Sequence, residues 1–118
     1  MIDELLIGWK LASLEPDMAS VRYRAMSPIL SLEKWGVKAR IFSVASPKNL
    51  DDLDCLVIVK SFERDDFYLV CEAENKNIPV IIDLCDNIFV DEDGMKTELS
   101  SMYFDLMAKY ASLIVVST

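Results

Sequence analysis

Arg22 and Arg24 flank Tyr23 in a chain that is otherwise strongly acidic. Paired guanidiniums offer planar, permanently charged forks suited to a phosphate or a carboxylate. On a regular helix the two would point about 200° apart, because each residue turns about 100°, so both reach one ligand only where the turn is irregular or extended. Lys60 closes the apolar run CLVIVK, while Asp83 and Asp86 end another, NIPVIIDLCDN. An amine at such a place meets an anionic group, and a carboxylate there accepts hydrogen bonds from hydroxyls or works as a general base. Plainer readings stand beside these: arginines paired with Asp17 or Glu15 at the surface, Lys60 neutralising a carboxylate, and aspartates capping backbone donors at a strand end. Ser20 reads as a helix cap near the arginines, since a chain with no histidine has none to activate a serine nucleophile. Two carboxylates alone are a poor magnesium site, so neither a metal nor another cofactor is expected.

The elements that must position these residues follow from the hydrophobic pattern. Cys55–Val59, the β-branched centre of residues 77–87, and Leu113–Val116 show no polar alternation, as in strands covered on both faces. The intervals between them are long enough for crossover helices, which predicts a parallel sheet with its ligand crevice beyond the carboxyl ends of the strands. Residues 5–9 predict a first strand, in which Gly8 lets a backbone or ligand approach closely, followed by a loop over residues 10–19. Residues 20–35 predict a helix restarted or kinked at Ser27–Pro28, with Ile29, Leu32 and Trp35 on one face and Gly36 as the stop. Residues 38–43 alternate and predict a strand nearer an edge; residues 47–54 form a polar connection with room for a short helical turn.

Arg64–Asn75 predicts a crossover helix with Phe67, Val70, Cys71 and Glu74 on one stripe and two acids in its first turn. Residues 88–96 predict a loop, and Thr97 a cap for a helix burying Leu99, Met102, Tyr103, Leu106, Met107 and Tyr110. The resulting order is an α/β three-layer sandwich, Rossmann-like or flavodoxin-like, with a mostly parallel five-stranded sheet. The sequence ends at Thr118, directly after the last strand. The expectation is one domain over residues 1–118, truncated from a longer protein, with an uncovered sheet edge through which copies can associate.

Composition narrows the function classes. The 118 residues are 53% hydrophobic and 27% charged, which excludes disorder, and no apolar run approaches the roughly 20 residues of a membrane-crossing helix. A net charge of −8 repels phosphodiester backbones, so nucleic acid is not an expected partner. Three cysteines without a Cys-x-x-Cys pair, and no histidine, argue against structural zinc and cysteine-histidine catalysis; a reducing cytoplasm is the expected location. With three glycines, Gly8, Gly36 and Gly94, no dinucleotide-binding Gly-x-Gly-x-x-Gly exists.

The segment SVRYRAMSPILSLEKWG, the strand ending VIVKSF, the run NIPVIIDLCDNIF and the ending ASLIVVST, in this order, resemble the N-terminal half of group-1 glycosyltransferases with the GT-B fold. The resemblance covers most of the chain. It implies an acceptor-side domain with Arg22, Arg24, Lys60, Asp83 and Asp86 on the cleft side, a sugar acceptor as ligand, and a nucleotide-sugar donor held mainly by a C-terminal domain. Cys85 and Asn87 stand where relatives commonly carry acids, and no glycine-rich loop follows the first strand. Two other readings remain: a noncatalytic Rossmann-like domain that binds a small molecule or a protein, and a response-regulator receiver. A receiver needs acids after its first strand and an aspartate ending its third; Trp9, Lys10 and Lys60 occupy those places.

Overall fold

The computed structural model describes residues 5–14, 21–85 and 95–116, with the side chains of 21–23, 85 and 95–98 left undescribed. Five strands form one sheet in the order β2-β1-β3-β4-β5. They are β1 (Leu6–Leu11), β2 (Lys38–Phe42), β3 (Cys55–Val59), β4 (Val80–Cys85) and β5 (Leu113–Val116). All four neighbouring pairs run parallel, so every carboxyl end lies on the same side of the molecule. This is an α/β sandwich with the flavodoxin-like strand order, and β2 is an edge, as its alternating pattern predicts.

The pleat divides the core into two layers. Leu56, Ile58, Val80 and Ile82 face α2 (Arg64–Asn75) and α3 (Met95–Ala108), packing with Leu69, Val70, Ala73 and Met107. Trp9, Leu11, Val57 and Val59 face the other way, against Ala25, Ile29 and Leu32. These last three belong to a π-type turn (Val21–Met26) and to α1 (Ser27–Glu33), which Pro28 opens in its first turn. Proline suits the helical backbone there because its φ is fixed near the helical value. Gly36 ends the segment at φ +82°, a left-handed conformation that glycine adopts without a Cβ penalty.

Several sequence expectations change. The first strand runs on to Leu11, so Lys10 lies inside it and not in a loop. Gly8 admits neither backbone nor ligand: a Cβ there would stand 2.5 Å from Leu53 Cδ1 and 3.3 Å from Phe42 Cε1, so its missing side chain makes room for core side chains. Trp35 leaves the helix face expected of it and is 84% exposed, because α1 ends two residues before it. In α2 the buried stripe is Asp66, Leu69, Val70 and Ala73, shifted from the expected one, and Glu74 is exposed. The run at 77–87 enters the sheet only at Val80; Asn77, at φ +60°, serves to terminate α2, with Ile78 N–H donating to Ala73 O at 2.9 Å. Thr97 lies within α3 and not ahead of it, and on that helix Leu99 and Met102 are exposed while Phe104 packs on the core with Tyr103 and Met107. The turn expected in 47–54 is a 3₁₀ turn, Pro47–Leu50, anchored by buried Leu50 and Leu53.

Candidate functional site at the carboxyl ends of the strands

The parallel register brings the chemistry-bearing residues to one rim. Val59 lies opposite Asp83, and the next residue, Lys60, donates its backbone N–H to Asp83 O at 3.0 Å. Lys60 then turns sharply at φ +48°. A left-handed non-glycine residue costs about 1–2 kcal/mol, and such strain is characteristic of positions held in place by their surroundings. Asp83 lies within β4, not beyond it as the sequence suggests, and its carboxylate Oδ1 stands 3.7 Å from Arg24 Nη1. Arg24 comes from the π-type turn that follows β1 in the chain. Arg24 and Asp83 are thus brought together by their side chains, and Lys60 joins the same rim through its backbone. Arg22 lies in the same turn but its side chain is undescribed, and Ser20 and Asp86 lie outside the described residues.

A second polar group at the same rim has no counterpart among the residues that the sequence singles out. Lys10 Nζ, on β1, pairs with Asp66 Oδ1 of α2 at 2.7 Å and donates a hydrogen bond to Ser61 Oγ at 3.0 Å. Ser61 Oγ donates in turn to Asp66 Oδ2 at 2.7 Å, and the Glu63 N–H donates to the same oxygen at 3.0 Å. Lys10, Ser61 and Asp66 are all buried. Because each charge is paired and hydrogen-bonded, the cluster can persist away from water, and it clamps the start of α2 to the ends of β1 and β3. A lysine in the last two residues of an apolar strand, with aspartate at the third position of a later helix, was the available signal; the pairing itself spans 56 positions of sequence and has no local signature.

Opposite α2, an open cavity of about 300 Å³ is lined by Trp9, Arg24, Pro28, Val57, Ile81, Asp83, Leu113 and Val115. It exists because α1 and the π-type turn cover mainly β1 and β3, leaving Ile81, Leu113 and Val115 partly or fully exposed. A larger cavity of about 550 Å³ lies among Leu50, Asp51, Asp52, Leu53, Lys76 and Ile78, at the amino-terminal side of the sheet. Cys55 and Cys71 are free thiols. Burial pushes both above the ordinary thiol range; at Cys55 a backbone hydrogen bond from Leu56 opposes this and Asp54 adds to it. Neither is placed to act as a thiolate at neutral pH.

With this geometry in view, comparison with known proteins bears on the fold. No protein-family model matches the chain, and no curated protein does. The chain is similar in structure to a conserved protein from Enterococcus faecalis V583, with a TM-score of 0.63 and 17% identity. The match covers 98% of this chain and 92% of that one. Likeness at this identity establishes a shared α/β fold.

Proposed function

We propose that this chain is the acceptor-side domain of a GT-B-type glycosyltransferase. The observation that supports this reading best is the ion pair of Arg24 with Asp83 at the carboxyl-end rim, the edge where open parallel sheets bind ligands; Lys60 follows β3 there with its backbone N–H on Asp83 O. The two cations bind an anionic group on the acceptor. Asp83, ion-paired with Arg24, is the carboxylate that accepts from a sugar hydroxyl. The donor nucleotide-sugar belongs, in this reading, to a second domain, so the 118-residue chain binds acceptor without transferring sugar.

Calorimetric titration of the purified chain with a hexose phosphate and with nucleotide sugars, followed by an assay for transfer, tests this. The expected result is binding of the hexose phosphate, weaker binding of nucleotide sugars, and no turnover. Tighter binding of nucleotide sugars, no binding of any sugar ligand, or turnover by the chain alone would overturn it.

A further inference from the structure

We draw no further inference here: the strongest candidate, the apolar face of β4 and β5 beside α1 where Leu113 is exposed next to Ile81 and Val115, carries nothing, because nothing in the structure shows what covers it and its charged corner, Arg24 with Asp83, belongs to the site already described.

Discussion

Lys10 shows how one side chain can hold a rim together while contributing little to net stability by its charge alone. The residue is 5% exposed, and its removal would leave the Asp66 carboxylate buried with Ser61 and the Glu63 N–H but without a counter-charge. Breaking such a pair costs about 3–5 kcal/mol, whereas replacing both charges by apolar residues of similar volume is often neutral or stabilising. Asp66→Ala is therefore expected to lose about 3–5 kcal/mol in urea unfolding, and the double variant Lys10→Met, Asp66→Leu to recover most of that loss. At Arg24, Lys60 and Asp83 the residue types were readable from the sequence, because each breaks an apolar or acidic context. Lys10 and Asp66 were not: a lysine at a predicted strand end and an acid in a helix's first turn each have an ordinary local explanation.

At the scale of elements, β3 and β4 were legible because their unbroken β-branched runs are covered on both faces. β5, of the same composition, is a strand as read but an edge one, with Leu113, Ile114 and Val116 exposed rather than covered. The helix Arg64–Asn75 was legible to the residue. What the periodicity missed was which stripe is buried. In α2 the face turns by one position because Asp66 is drawn inward by Lys10, an attraction that hydropathy counts as a penalty. In α3 Leu99 and Met102 have the right spacing and remain exposed, since apolar spacing alone does not supply a neighbour to cover them. The segment after β1 shows the reverse, a sequence read as a helix restarting at Ser27–Pro28 and found as a π-type turn running into α1. At its stop, Gly36, a Cβ would meet nothing within 4 Å, so the effect of a side chain there is purely one of backbone. Gly36→Ala is expected to cost about 1–2 kcal/mol of stability, and Gly36→Asn less, as measured by thermal unfolding.

The whole molecule places its functional residues by topology more than by any motif. Parallel pairing throughout forces all five carboxyl ends to one side, and the sequence disclosed this through the spacing of its apolar runs. It did not disclose the cavity between the sheet and α1, because a void depends on what fails to pack there. No helix among the described residues is long and apolar enough to cross a membrane. The account rests on ligand binding at the carboxyl rim, and the larger cavity at the opposite side of the sheet, near Asp51, Asp52 and Lys76, is its natural competitor. Backbone amide shifts during titration with a hexose phosphate decide between them. The account predicts that the largest shifts fall at Leu11, Arg24, Lys60, Ser61 and Asp83; shifts centred instead on Asp51, Asp52, Lys76 and Ile78 would contradict it.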